Sequence, residues 1–287
     1  SAIALAQKVS VTNTTVLLTG ETGTGKEVFA QAIHQASPRK ERSFVAINCA
    51  AFTKDLLENE LFGHKSGAFT GATKDQRGLF EEAHLGTIFL DEIGEMAIEL
   101  QAKILRVLET GEFLKVGDSK PTKVDVRIIA ATNRDLEAEI DADHFRSDLF
   151  YRLSVFMIQL PPLRERIQDI RLLAQYYADI FALKLNLKPL QMTAEFNAAL
   201  ERNAWGGNIR ELKNVIERSV ILSEDGQLDL SSLPFGMNNL KSEQELSSGF
   251  SMANIERQHI QRVLQHTNGN KAEAARLLEI GVATLYR

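Results

Sequence analysis

The sequence predicts an α/β core with a mostly parallel sheet, followed by an α-helical unit and a small C-terminal all-α unit with helix-turn-helix spacing. Three observations carry that expectation. Short β-branched runs alternate with helical patterns as far as Leu160, Pro161-Pro162 then ends the strand signal, and a glycine-rich loop follows the first apolar run directly. Strand and helix in alternation is the pattern of a parallel sheet covered by helices.

The predicted strands are residues 15–19, 44–48, 87–90, 124–131 and 155–160. Between the third and fourth, residues 98–109 place Ile98, Leu105 and Leu108 at helical spacing and end at Thr110-Gly111, where glycine can adopt the left-handed cap. Two consecutive prolines permit neither ladder nor helix, so a separate unit begins at 161. It reads as helices over 168–185, 193–201 and 208–222, the last with Asn208 as cap and Glu211 three residues on as a capping box. A stretch rich in Gly, Asn, Ser, Lys and Glu then reads as a linker. Beyond it, a helix over 255–267, a break at Asn268-Gly269-Asn270, a short helix over 271–278 and a turn before Val282 give helix-turn-helix spacing, with Ala274, Ala275 and Leu278 small enough for two helices to cross closely. The expected organisation is a core over 1–160, a helical unit over 161–235, a linker over 236–250 and the last module over 251–287.

Composition narrows the function classes. The 287 residues are 44% hydrophobic, enough for one sizeable core and small satellites. A net charge of −5 excludes bulk electrostatic coating of nucleic acid, so any DNA contact must be modular. The single cysteine, Cys49, lies in an apolar stretch and reads as a small buried thiol. No apolar run approaches the roughly 20 residues needed to cross a bilayer. The sequence therefore predicts a cytoplasmic protein with no membrane partner.

Gly20-Glu21-Thr22-Gly23-Thr24-Gly25-Lys26 follows the first strand and opens a helical pattern at Val28, Phe29, Ala32 and Ile33. That is the setting of a P-loop, in which glycines turn backbone amides toward phosphates, the helix N-terminus adds positive potential and Lys26 reaches the β and γ phosphates. Glu27 stands where a Ser or Thr hydroxyl usually ligates Mg²⁺, so metal binding must lean on Asp91, the phosphates or water. Thr87-Ile88-Phe89-Leu90 runs into Asp91-Glu92, a pair suited to holding the metal and polarising an attacking water. Asn133, at the end of another strand, offers an amide to orient that water or sense the γ phosphate. Gly67-Ala68-Phe69-Thr70-Gly71-Ala72 sets a lone phenylalanine on a small-residue tip, an apolar ring that gains nothing until it meets an apolar partner.

These stretches resemble the bacterial enhancer-binding proteins, AAA+ ATPases that activate RNA polymerase carrying sigma-54. The resemblance rests on GETGTGKE at 20–27, ELFGHKSGAFTGA at 60–72, GTIFLDE at 86–92, AATNRDL at 130–136, FRSDLFYRL at 145–153, LPPLRER at 160–166 and WGGNIRELKNVIERSV at 205–220. It implies an AAA+ P-loop core, a helical lid and a Fis-type DNA-binding module, with ATP and Mg²⁺ as cofactors. Glu27 is a habit of the family. The resemblance gives the 67–72 loop the contact to sigma-54, with Phe69 and Thr70 central. Arg146 and Arg152 resemble arginine fingers that reach a neighbouring subunit's ATP, Arg210 resembles the lid's sensor arginine, and Asn48 resembles the residue that holds Glu92 until ATP engages. Catalysis then requires a ring, usually a hexamer, with a dimer as the inactive form. Residues 270–287 resemble Fis-type helices, placing Lys271, Thr284, Tyr286 and Arg287 at enhancer DNA. Gly206 departs from the family's usual proline and Gly281 from its serine cap. Ser1 to Gln7 resemble the end of the helix that precedes this core, so the chain reads as the central and C-terminal part of a response regulator in a two-component system. A nucleotide-gated DNA-binding regulator that does not remodel sigma-54 is the alternative.

Overall fold

The computed structural model describes residues 2–223, 226–234, 260, 263, 267, 271–278 and 280. The chain divides into two compact units, one of Ser1–Asn186 with Ala204–Glu217, the other of Leu187–Asn203 with Arg218–Arg287.

In the first unit, helix α1 (Ala2–Ser10) leads to β1 (Val16–Thr19), α2 (Lys26–Gln35) and β2 (Phe44–Asn48). Helix α3 (Lys54–Phe62) runs into the short antiparallel pair β3 (Gly63–His64) and β4 (Gln76–Arg77), followed by α4 (Leu79–Glu82) and β5 (Thr87–Asp91). After α5 (Ile98–Thr110), a second hairpin pairs β6 (Glu112–Leu114) with β7 (Pro121–Lys123). Then come β8 (Arg127–Thr132), α6 (Leu136–Asp141), α7 (Ser147–Leu153), β9 (Met157–Gln159) and α8 (Ile167–Lys184).

Strands β1, β2, β5, β8 and β9 form one five-stranded parallel sheet in the order β2-β5-β8-β1-β9. Parallel strands need crossovers, which put helices on both faces, and that is why these strands read as unbroken apolar runs. Alternate residues serve opposite cores. Leu17, Ile88, Leu90 and Ala130 pack with Ile104, Phe62 and Leu149 on one face. Val16, Leu18, Phe89 and Ile129 pack with Ala30 and Ile33 on the other.

The predicted parallel sheet stands, with two corrections. The expected strand over 124–131 starts only at Arg127, because Val124 N donates to Gly111 O and Asp125 O accepts from Leu85 N. Arg127 is also no ordinary strand residue: it is 2% exposed and its guanidinium donates to Ser10 O and Val9 O, closing the C-terminal end of α1. Burial draws its pKa down to about 10.

In the second unit, β10 (Gln191–Met192) pairs in parallel with β11 (Gln227–Leu228), and α9 (Ala194–Arg202) is capped by Thr193 Oγ1, which accepts from Phe196 N. Helix α10 (Asn208–Ile221) carries the chain from the first unit into this one, where Ser219 Oγ donates to Ser232 O. The last described helix, α11 (Lys271–Leu277), opens at Lys271 and buries Ala274 and Ala275. The linker, the break at 268–270, Gly281, Thr284, Tyr286 and Arg287 lie outside the described residues.

Cys49 is 2% exposed and its thiol is pushed up to about 12, chiefly by burial and further by the nearby Asp91 and Glu92 carboxylates. The native protein should therefore react with a disulfide reagent at pH 8 on the order of a thousandfold more slowly than the unfolded chain, which should release one thiol. Equal rates before and after unfolding would contradict the buried, protonated thiol.

Candidate phosphate-binding site

The loop after β1 is shaped by backbone that only glycine tolerates. Gly20, Gly23 and Gly25 have φ of 149°, 80° and 98°. A Cβ on Gly20 would lie 2.7 Å from Leu160 O, and one on Gly23 only 2.3 Å from Gly207 O. Thr24 Oγ1 donates to Glu21 O (2.8 Å), closing the turn. Lys26, first residue of α2, is 6% exposed; its ammonium donates to Gly20 O (2.9 Å) and Glu21 O (3.4 Å) and lies 4.0 Å from Glu92 Oε1. Burial lowers its pKa, while Glu92 and Asp91 oppose that shift. A charge held this way keeps its donors in reach of an incoming phosphate.

Asp91 and Glu92 end β5 beside it. Burial raises the Asp91 carboxyl, with Lys26 pulling the other way. Glu92 sits in the left-handed region (φ 53°, ψ 48°), a strain of about 1 kcal/mol or more for a residue with a Cβ. Its Oε2 accepts from Asn133 N (3.3 Å), and Asn133 Nδ2 donates to Thr22 Oγ1 (3.0 Å), so the loops after β1, β5 and β8 are joined by hydrogen bonds. Arg134 adds a bidentate pair to Glu95 (2.7 and 2.5 Å) between the loops after β8 and β5. Asn48 stands beside Asp91 in register, but its Oδ1 accepts from Ala50 N (2.9 Å) rather than facing Glu92.

Thr22, Gly23, Gly25, Lys26, Glu27, Asp91, Glu92 and Arg210 share the lining of one cleft of about 290 Å³, together with Tyr177 and Lys213. A larger apolar cavity of about 720 Å³ adjoins it, walled by Phe29, Tyr176, Tyr177 and Phe181. Tyr177 and Lys213, which border both, were not found by sequence reasoning; Lys213 follows Arg210 by three residues, one helical turn, and that spacing is the signal available. Arg164 and Arg166 were also missed: Arg164 pairs with Glu21 (2.6 and 2.8 Å) and Arg166 donates to Thr24 O (3.0 Å). The capping box expected at Asn208 takes another form. Glu211 does reach back, but to Gly207 N (2.8 Å), and the Asn208 side chain points away from its own helix.

Arg146 and Arg152 are not in this cleft. Arg146 pairs with Asp148 (2.6 Å) and Arg152 with Glu109 (3.3 Å), their side chains 39% and 60% exposed.

The 67–72 segment closes the β3–β4 hairpin. Gly67 N donates to Ala72 O and Ala72 N to Phe69 O, with Gly67 and Gly71 at φ of 82° and 107°. Thr70 is exposed, and Phe69 is 47% exposed, resting edge-on against His64 (5.0 Å between centroids). Ala68 leans on the β6–β7 hairpin, where a Cβ on Gly117 would come within 2.7 Å of its own. Among the described residues no helix is long and apolar enough to cross a membrane.

Comparison with known proteins agrees with this geometry. Residues 1–159 match the sigma-54 interaction domain family, 164–249 the AAA+ ATPase lid domain and 251–287 the Fis family of bacterial regulatory proteins. The Nif-specific regulatory protein of Azotobacter vinelandii is 47% identical over 280 residues, covering 95% of this chain and 53% of that protein. The anaerobic nitric oxide reductase transcription regulator NorR of Salmonella paratyphi C is 45% identical over 95% of this chain and 57% of that protein, and the DNA-binding transcriptional regulator NtrC of Salmonella typhimurium 42% identical over 98% and 65%. The chain thus spans between about half and two thirds of these relatives. Crystal structures of NtrX from Brucella abortus, with ADP and with ATP, superpose at TM-scores of 0.78 and 0.77 with 34% identity, covering all of this chain and 66% and 65% of theirs. With a P-loop over a parallel sheet, a matching lid and a Fis-type terminal segment, the chain belongs to the sigma-54 interaction domain family of AAA+ proteins.

Proposed function

We propose that this chain hydrolyses ATP in a ring of its own copies and uses the cycle to remodel RNA polymerase holoenzyme carrying sigma-54, opening the promoter for transcription. The observation that carries this reading is the pairing, in one unit, of a cleft lined by Lys26, Asp91, Glu92 and Arg210 with an exposed Phe69 between glycine hinges. NtrX, a structural relative, was crystallised with ADP and ATP, which supports nucleotide in this cleft.

Lys26 and the amides of 20–25 would hold the phosphates, and Arg210 would approach them from the lid side. Glu92 would take the proton of the attacking water, with Asn133 fixing its carboxylate. Among the described residues no cluster of three or more acidic, His or Cys side chains could bind a metal. The half-buried Asp91 carboxylate, with Glu27 on the same lining, fits Mg²⁺ only in company with phosphates. When bound, that ion would neutralise charge on the β and γ oxygens. Arg146 and Arg152, exposed and outside the cleft, suit the site of a neighbouring copy, where a finger arginine contributes about 10³-fold or more in rate. Hence the ring, with a hexamer as active form and a dimer as inactive form. Asn48 would take up Glu92 as a switch in another nucleotide state.

The organisation we infer is an ATPase core over 1–160, lid over 161–235, linker over 236–250 and DNA-binding module over 251–287, the last engaging enhancer DNA through Lys271, Thr284, Tyr286 and Arg287. The whole protein acts in the cytoplasm as a response regulator of a two-component system.

ATP turnover per subunit should rise with concentration from nanomolar to micromolar; a flat rate would contradict shared sites. Glu92→Gln should cut kcat by about 10² to 10⁴ while nucleotide binding stays within about threefold, and a kcat near wild type would remove Glu92 as the base. Phe69→Ala should abolish open-complex formation on a sigma-54 promoter while hydrolysis without polymerase continues; retained promoter opening would favour the regulator that does not remodel sigma-54.

A further inference from the structure

Asn208 touches the phosphate loop without lining the cleft. It is fully buried, and its amide is used on both sides. Oδ1 accepts from Leu163 N (2.7 Å), while Nδ2 donates to Glu21 Oε2 (3.1 Å) and Thr22 O (3.1 Å). The next residue continues the seam, Ile209 N donating to Gly23 O (2.9 Å). Glu21 is meanwhile gripped by both terminal nitrogens of Arg164. These bonds depress the Glu21 carboxyl to about 2, the Arg164 hydrogen bond contributing most and Asn208 next.

The backbone favours the same residue. Asn208 has φ of 52°, a region that asparagine and aspartate enter more readily than other residues with a Cβ. Helix capping does not account for its side chain, because Glu211 already serves the amide of Gly207. What the side chain does instead is tie the first turn of α10 to the phosphate loop and to the segment after Pro162. Arg210, two residues on, lines the cleft from that same turn.

We propose that Asn208, with Glu21 and Arg164, is a positioning element for Arg210. It registers the start of α10 against the phosphate loop, so that displacement of Glu21 and Thr22 is passed to the guanidinium rather than absorbed between them. Asn208 touches no reacting atom and acts through Arg210. The proposal rests on the reading of Arg210 as a nucleotide contact.

The test is a double-mutant cycle on ATP turnover by the full chain at ring-forming concentration. Asn208→Asp keeps the tolerance for left-handed backbone but replaces the donor facing Glu21 and Thr22 with an acceptor; where that buried carboxylate prevents folding, Glu21→Ala, which removes the same bond from the exposed partner, is read in its place. Expected is a fall in kcat of about tenfold or more in the wild-type background and little further fall in an Arg210→Ala background. A loss of equal size in both backgrounds would overturn the positioning role while leaving Arg210 as a nucleotide contact. Wild-type turnover by Arg210→Ala alone would remove the contact itself, and the proposal with it.

Discussion

The site depends on one constraint: β1, β5 and β8 are neighbours in a parallel sheet, so the loops that follow them leave the same edge. Parallel pairing brings Gly20, Asp91 and Asn133 together although more than a hundred residues separate the first from the last. The close geometry then follows from short contacts. Lys26 is anchored by two carbonyls of its own loop, Glu92 by the amide of Asn133, and Asn133 by Thr22. None of these bonds is strong alone, each contributing roughly 1 kcal/mol or so. Together they fix three loops against a sheet whose two faces are closed by helices, and a mobile edge could not hold a left-handed Glu92.

Much of this was legible in the sequence, for definable reasons. The strands were readable because burial on both faces demands runs such as 44–48 and 87–90, and the phosphate loop because its glycines answer to contacts no Cβ permits. The pairing of Lys26 with Asp91 and Glu92 followed from strand-end positions. Less legible were residues whose work depends on partners far along the chain. Arg127 sits in a strand as a charge among apolar neighbours, and only the position of α1 explains it. Asn208 carries the sequence signature of a helix cap, yet its partners are Leu163, Glu21 and Thr22. Arg164 and Arg134 look like surface charges until Glu21 and Glu95 are seen opposite them. The β6–β7 hairpin gave too short a pattern to register, although Ala68 leans on it.

The same unit carries both the candidate cleft and the 67–72 tip. The glycine-bounded tip with Phe69 is held by backbone hydrogen bonds within the loop, by the ring contact to His64, by Ala68 against the β6–β7 hairpin and by the Lys65–Asp75 pair at its base. The first turn of α10 is held by the buried Asn208 amide. On the proposed function, coupling between phosphate and tip would run through the close-packed core, which transmits displacement.

The central claim is that each cleft is completed by arginines from an adjoining copy, and mixing tests it most directly. Lys26→Ala subunits lack the phosphate anchor but keep Arg152, whereas Arg152→Ala subunits keep an intact cleft and lack the finger. Each alone should hydrolyse ATP at a small fraction of the wild-type rate, and a mixture should recover turnover that passes through a maximum as the ratio is varied. A mixture no faster than the sum of its parts at every ratio, or an Arg152→Ala protein that turns over normally alone, would contradict the shared site.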